Sequence, residues 1–405
     1  MALNTALTGI NAAQSDLNVI ANNIANANTA GFKGSRAEFA DVYAVTGLNL
    51  NSTATGSGVR LQDVAQQFAQ GDIETTNNSL DMAISGNGFF VVNDGSGQVY
   101  TRAGAFRKSA DDFVETSTGA KLQVYPPNGI GGFDTSTLTD LKLVSSQSSA
   151  TATSLITLNS NLPASATVPV TPFSTSDATS FNAATPVTVY DSQGGSHQAT
   201  IYYVKTATNA WDAHLYVDGN NAGTQSLTFD TSGNLATPAN GTLTYNPVNL
   251  GNGSNPLALS LNVGGTTQFG TAFAAGSIEQ NGFEAGTLSN IDIDSKGVVT
   301  AYYSNNQSTQ LGQIAIANFS NAQGLRQLGN TSWAASGDSG VPQMGTAGAG
   351  TFGSLQSGAL ETSNTSDTTA QLVNMIKAQR NYQANAQVLS TDSTLATTLF
   401  NAVGR

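Results

Sequence analysis

Two stripes of apolar residues, one at each end of the chain, constrain the fold more than any other feature of the sequence. Near the start, Leu3, Leu7, Ile10, Gln14, Leu17, Ala21, Ile24 and Asn28 follow alternating four- and three-residue steps. Near the end, Leu372, Met375, Gln379, Tyr382, Ala386, Leu389, Ser393, Ala396, Phe400 and Val403 do the same. Such steps return a side chain to one face of an α-helix, so each stripe is the seam of a helix built to lie along a partner. Alone in water such a helix is marginal, because nucleation is costly and packing supplies most of its stability.

The first seam predicts a helix over residues 3–30, about 40 Å long at ~1.5 Å per residue. Gly31 would supply the left-handed C′ position, with Lys33 and Arg36 complementing the negative helix end. Asp16 is its only charged side chain, and Ala2, Ala6, Ala12, Ala13, Ala21, Ala25, Ala27 and Ala30 permit close approach on several sides. Asn22, Asn23, Asn26 and Asn28 lower helix propensity but offer amides to neighbours. The second seam predicts a helix from near Asp367, capped by Ser366 or Asp367 and running about 50 Å. Both helices could serve as ordinary core elements of their own chain, but their low charge on all faces favours assembly. On that reading Leu3, Leu7, Ile10, Leu17, Ala21 and Ile24 of the first helix are the expected subunit contacts. Leu372, Met375, Tyr382, Ala386, Leu389, Ala396, Phe400 and Val403 are those of the second.

The 405 residues suffice for several domains, yet only 10% are charged. A net charge of -12, with no Lys/Arg cluster, opposes nucleic acid as a partner. With no cysteine, disulfides, thiolate metal sites and cysteine nucleophiles are excluded. The opening MALNTALTGINAAQ lacks the basic and apolar regions of a secretory leader, and no segment reaches the ~20 apolar residues that span a bilayer. If the protein leaves the cell, the expectation is that it does so without a general secretory signal, and no membrane insertion is expected.

Between the helices, alternating apolar runs are broken by Gly, Asn and Asp at short intervals, as in antiparallel sheets. SLDMAISGNGFFVVNDGSGQVYTR at 79–102, PVTVYDSQGGSHQATIYYVK at 186–205 and WDAHLYVDGN at 211–220 are examples. Residues 145–180 read as a Ser/Thr/Ala/Pro-rich crossing with little periodicity. The expected fold class is multidomain α+β: paired, coiled-coil-like terminal helices with nested antiparallel β-domains on an out-and-back chain. Residues 1–32 and 362–405 would form the helical domain, 33–70 a flexible or assembly-ordered linker, 71–144 with 285–361 an inner β-domain, and 145–284 an outer one.

Fragments that suggest chemistry fail on their own terms. Gly337-Asp338-Ser339-Gly340 resembles a serine-protease turn, but Val341 replaces the next glycine, and His197 and His214 lack a matching base motif. Asp292-Ile293-Asp294-Ser295-Lys296-Gly297 begins like a calcium loop, yet Lys296 replaces an oxygen ligand and Tyr303 the bidentate Glu, so a β-turn is expected. Gly86-Asn87-Gly88 runs into Phe89-Phe90-Val91, without the third glycine or the helix of a dinucleotide fingerprint. His197 and His214 as a metal pair would need further ligands. Phe89, Phe90, Tyr100 and Phe106 read as core, with Tyr100 or Phe106 the candidates for a subunit contact. No catalytic residue, cofactor or metal is expected.

The run NAAQSDLNVIANNIANANTAGFKG at 11–34 resembles the N-terminal signature of the bacterial flagellar rod and hook family, and LVNMIKAQRNYQANAQVL at 372–389 its C-terminal one. FAQGDIETTNNSLDMAISGNGFFVV and YTRAGAFRK are similar to its inner β-domain. GTLSNIDIDSKGVVTAYYSNNQSTQLGQIAIANFSNAQGL at 286–325 and TVYDSQGGSHQATIYYVK at 188–205 resemble the members with a large outer domain, which form the hook, rather than the shorter rod members. Thr365-Ser366 stands where the family has Val-Asp, Asp111-Asp112 where a turn contains Gly, and Val124 where Gly is common. The resemblance implies a homo-oligomeric tube that bends while transmitting torque from rod to filament. It further implies export by the flagellar type III apparatus and contacts with the distal rod, hook cap and hook–filament junction proteins. A distal rod protein and a secreted adhesin are the competing readings; adhesins seldom carry paired terminal helices.

Overall fold

The computed structural model describes residues 2–42, 56–143 and 149–403. It has a long helix at each end, α1 (Ala2–Ala25) and α2 (Thr368–Val403), with β-sheets between. Asp367 caps α2, its Oδ1 accepting the Ala370 amide at 3.1 Å. α1 stops short of the expected residue 30, and the asparagines are the reason. Asn26 Nδ2 turns back onto Asn22 O at 3.0 Å and Asn22 Oδ1 at 2.7 Å. Asn23 forks onto the returning chain, donating to Ser35 O at 2.8 Å and accepting from Ser35 N at 2.9 Å. These side-chain bonds compete with further helix. Gly31, with φ +67, lies where a Cβ would sit 2.4 Å from Ala103 N, so its lack of a side chain permits both the turn and the close approach.

The segment expected to be a linker is paired in its described part. Ser35–Asp41 and Val59–Gln66 form an antiparallel ladder with a bulge between Glu38 and Phe39, and Ala37 and Ala65 are buried. Along the second strand only Ala65 is buried, so the ladder rests on backbone pairing more than on an alternating apolar face. The Gly/Ser/Thr/Asn-rich residues 43–55 lie outside the described residues.

One compact unit comprises residues 1–144, 290–301 and 308–405. In its main sheet the strand Phe89–Asn93 is buried on both faces. Phe90 and Val92 enter a core with Met82, Ile84, Leu122 and Ile316. Phe89 and Val91 enter another with Tyr100, Phe319 and Trp333. Trp333 donates its indole N–H to Gln66 Oε1 at 2.6 Å, tying the 59–66 strand to this sheet. Phe89, Phe90, Tyr100 and Phe106 are all core residues, so neither Tyr100 nor Phe106 is available for the subunit contact considered above.

The second unit comprises residues 145–289 and 302–307. Five antiparallel strands, Ala183–Tyr190, Ser196–Ala207, Ala210–Val217, Asn220–Phe229 and Leu235–Thr237, share a core with a four-stranded sheet. Two expectations change here. Residues 145–180 are not wholly irregular, because Leu155–Asn161 is a strand that buries Ile156, Leu158 and Ser160 in alternation. That strand also pairs in parallel with Ser260–Asn262, so the sheets are not purely antiparallel.

A buried ionic cluster joins both chain ends to the first unit. Glu361 Oε1 accepts Lys33 Nζ at 2.6 Å and the Gly71 amide at 2.9 Å, and its Oε2 accepts Arg102 Nη1 at 3.1 Å. Lys33 and Glu361 side chains are fully buried and Arg102 nearly so. Lys33 also donates to Ala69 O at 2.8 Å, and Arg102 Nη2 to Gly86 O at 2.6 Å. Burial, reinforced by Arg102, pulls the Lys33 pKa below its ordinary value against the pull of Glu361. Glu361→Gln leaves two buried cations without an anion and is expected to destabilise the chain by about 3–5 kcal/mol in urea unfolding. Lys33→Met keeps the Arg102–Glu361 pair and should cost distinctly less. Equal losses for both would contradict this account of the cluster.

Candidate functional site

The site is the surface of the two terminal helices. They lie side by side and antiparallel. At one level Gly9 faces Asn385, so closely that a Cβ on Gly9 would be 2.5 Å from Asn385 Oδ1. At the other, Thr365 Oγ1 donates to Asn23 O at 3.0 Å. Thr365 thus fastens the base of α2 to α1. The buried residues on α1 are Ala6, Ala13, Ile20 and Asn23. On α2, Ala378 is the only buried residue among those described. The heptad-spaced small residues bring the backbones close but bury little apolar area.

The expected seam residues flank this contact and are exposed or only half-buried. Leu3 and Leu7 are 46% and 48% exposed, Ala21 is exposed, and Ile10, Leu17 and Ile24 are half-buried. On α2, Leu372, Tyr382, Ala396 and Phe400 are exposed, the last at 84%, while Met375, Ala386 and Leu389 are half-buried. The side chain of Val403 lies outside the described residues. Sequence reasoning missed Val373, Ile376, Val388, Leu395 and Leu399, all exposed apolar residues off the stripe. Their signal was available: α2 carries large aliphatic residues on more than one face. A cleft of about 460 Å³ runs beside the helix pair, lined by Asp16, Arg36 and Lys377 among amides of Asn23, Asn374 and Asn381. Burial raises the Asp16 pKa above its ordinary value.

The residues weighed for chemistry have structural roles. Asp294 Oδ1 accepts the Lys296 and Val298 amides at 2.9 and 2.8 Å, closing the expected turn. Ser339 is buried, and its hydroxyl donates to Ser336 O at 2.9 Å. His214 stacks on Phe173 with centroids 3.9 Å apart and bonds Thr224 Oγ1 at 2.7 Å. His197 instead bridges two turns, its Nδ1 2.6 Å from Asp218 Oδ2 and its Nε2 3.1 Å from Asp191 Oδ2. Asp191 also accepts the Gln193 and Gly195 amides at 2.8 Å and Asn252 Nδ2 at 2.6 Å. Among the described residues no group of three or more His, Cys, Asp or Glu could hold a metal ion, and no helix is long and apolar enough to cross a membrane.

Comparison with known proteins gives this surface its context. In chain order, residues 3–33 match the family model for a flagella basal body rod protein, and residues 83–168 the flagellar hook protein FlgE/F/G D1 domain. Residues 157–283 match the flagellar basal body protein FlaE D2 domain, and 356–402 the flagellar basal body rod FlgEFG protein C-terminal model. The chain is 39% identical to the flagellar hook protein FlgE of Escherichia coli K12, covering 99% of this chain and 100% of that protein. It is 33% identical to the flagellar hook protein FlgE of Rhizobium meliloti strain 1021, covering 98% of each. The crystal structure of Helicobacter pylori flagellar hook protein FlgE2 shares the fold, with a TM-score of 0.53, 14% identity, and coverage of 71% of this chain and all of that one. Terminal helices flanking β-domains, with family matches at both ends, define an axial component of the bacterial flagellum. The chain belongs to the flagellar hook protein family: it is a structural subunit of the hook, not an enzyme, and its kind forms a helical polymer of its own copies.

The His197 bridge yields a pH prediction. Burial disfavours the charged imidazole, but its bonds to Asp218 and Asp191 outweigh this and raise its pKa above 6.5. Burial acts on Asp191 the other way, yet its hydrogen bonds to His197 and neighbouring amides bring its carboxyl down from 3.8 to about 2. The histidine's contribution is complete below its unfolded pKa and disappears as pH rises through the folded one; that of Asp191 is complete above about 4 and disappears as pH falls through about 2. The stability difference between the native chain and His197→Gln should therefore peak near pH 5, at roughly 1.5–3 kcal/mol, and shrink in both directions. A difference that grew above pH 8 would contradict the assignment.

Proposed function

We propose that this chain polymerises into a flexible, curved tube that serves as a universal joint, transmitting torque from the rod to the filament while it bends. One observation carries the reading. The apolar residues that give the terminal helices their seams are half-buried or exposed within the single chain, so the helices need further copies to cover them. A buried Leu, Met, Ile or Phe side chain contributes roughly 1.5–3 kcal/mol, enough over many seam positions to hold a tube together. In this reading Leu3, Leu7, Ile10, Leu17, Ala21 and Ile24 of α1 are assembly residues. So are Leu372, Met375, Tyr382, Ala386, Leu389, Ala396, Phe400 and Val403 of α2, through coiled-coil-like packing.

The division of labour follows from chemistry. Residues 1–32 and 362–405 form the assembly domain, 71–144 with 285–361 the inner β-domain, and 145–284 the outer one. Polar Ser, Thr and Asn contacts between β-domains net only ~0.5–1.5 kcal/mol per hydrogen bond, so they can exchange partners as the tube turns. The distal rod, hook cap and hook–filament junction proteins are the neighbours this role requires. The flagellar type III apparatus is the export route, without a cleaved signal. Marginal helices suit a chain that travels unfolded and orders on arrival.

Electron microscopy of polymer grown from the purified chain tests the proposal. Curved tubes are expected from the full chain and none after removal of residues 366–405, whereas removal of 145–284 should leave tubes of altered curvature. Straight tubes from the full chain would favour a distal rod role. Regular tubes without 366–405 would overturn the role of the helices.

A further inference from the structure

The exposed apolar side chains of α2 include a patch at each end of the helix. At its start are Leu372, Val373 and Ile376, 49%, 53% and 48% exposed. At its end are Leu395, Leu399 and Phe400, 63%, 69% and 84% exposed. With Gly9 level with Asn385 and the helices antiparallel, α2 beyond about Asp392 runs past the level of Ala2, so the second patch has no α1 beside it. The first patch has a cationic margin: Lys377 and Arg380 follow it within the next turn, and neither makes an ion pair among the described residues.

We propose that the last turns of α2 in one copy lie on the Leu372–Arg380 stretch of α2 in the next copy, head to tail. This rests on the polymer reading above and specifies which surfaces meet. Two different patches on one molecule make a heterologous contact, which propagates as an open helical array unless its rotation closes. The patches match in size, each presenting three large apolar side chains over about two turns. Arg405, two residues beyond α2, offsets the partial negative charge of that helix end, so the polar part of the contact is the Phe400 ring, which with the two segments parallel comes level with Lys377 and reaches a cation. α1, whose one charged side chain is Asp16, offers no cationic side chain for that end. The alignment displaces one copy along the helix by about 23 residues, or ~35 Å.

The chain has no cysteine, so introduced thiols report without background. Chains carrying Ile376→Cys and chains carrying Leu399→Cys are each copolymerised with an excess of wild-type protein, separately and together, and the tubes are oxidised. Dilution in wild-type chain keeps assembly intact whatever each variant does alone. Tube formation, checked first by microscopy, tests the polymer reading independently of the contact. Disulfide-linked dimers are expected when both variants are present, at least tenfold above either alone, and absent from unassembled chains. Dimers from Leu399→Cys alone would mean that two tails pair with each other. Dimers with Leu3→Cys in place of Ile376→Cys would mean that the tail lies on α1. Either result, or intact tubes with no dimer, overturns the proposal.

Discussion

Two cations on one buried carboxylate fix the geometry on which the helix surface depends. Lys33 follows the turn after α1, Glu361 precedes α2, and Arg102 belongs to the β-structure between them. A carboxylate in a low-dielectric interior is tolerated only when paired and fully hydrogen-bonded, so these three side chains specify one another closely. Around them, Gly31 N donates to Glu361 O at 2.8 Å and Gly34 N to Asn364 Oδ1 at 2.8 Å, joining the incoming and outgoing strands of the chain. The base of the helix pair is thereby set by polar contacts, independently of whatever covers its apolar faces.

That separation explains how a subunit can be well defined yet incomplete. The base and β-cores are satisfied within one chain, where strands such as Phe89–Asn93 are buried on both faces. The helices are not: α2 has 36 residues and only Ala378 buried among those described. Close approach through Ala6, Gly9 and Ala13 orients the pair while the larger apolar side chains stay exposed or half-buried within the single chain. The hook family to which the chain belongs is built from many copies of one subunit, and this distribution of burial is what such a subunit needs.

The helices were legible because a 4-3 period is local information; Asp367 as a cap and the turn at Asp294 were legible for the same reason. The end of α1 was not, because Asn23 stops the helix by binding Ser35, a partner the helical pattern does not reveal. The ladder of Ser35–Asp41 with Val59–Gln66 was missed because its composition resembles that of a linker and its support comes from Trp333 through Gln66, far along the chain. The ionic cluster left no sequence signal: Lys33 reads as a helix-end cation, and its partner is 328 residues away. On the helices, the stripe identified residues that the single chain leaves exposed or half-buried, but apolar residues off the stripe, such as Val373 and Leu399, are equally exposed. A single-seam pattern underestimates a helix that carries large apolar residues on several faces.

The central claim is that the helix pair is held at its base by its own chain and completed along its length by other copies. Amide hydrogen exchange, compared residue by residue between unassembled chain and polymer, tests it most directly. The account predicts equal protection of the Phe89–Asn93 strand in both states, and protection of α2 beyond about residue 386 that rises at least a hundredfold on assembly. Strong protection of that stretch already in the unassembled chain, or none in the polymer, would contradict it.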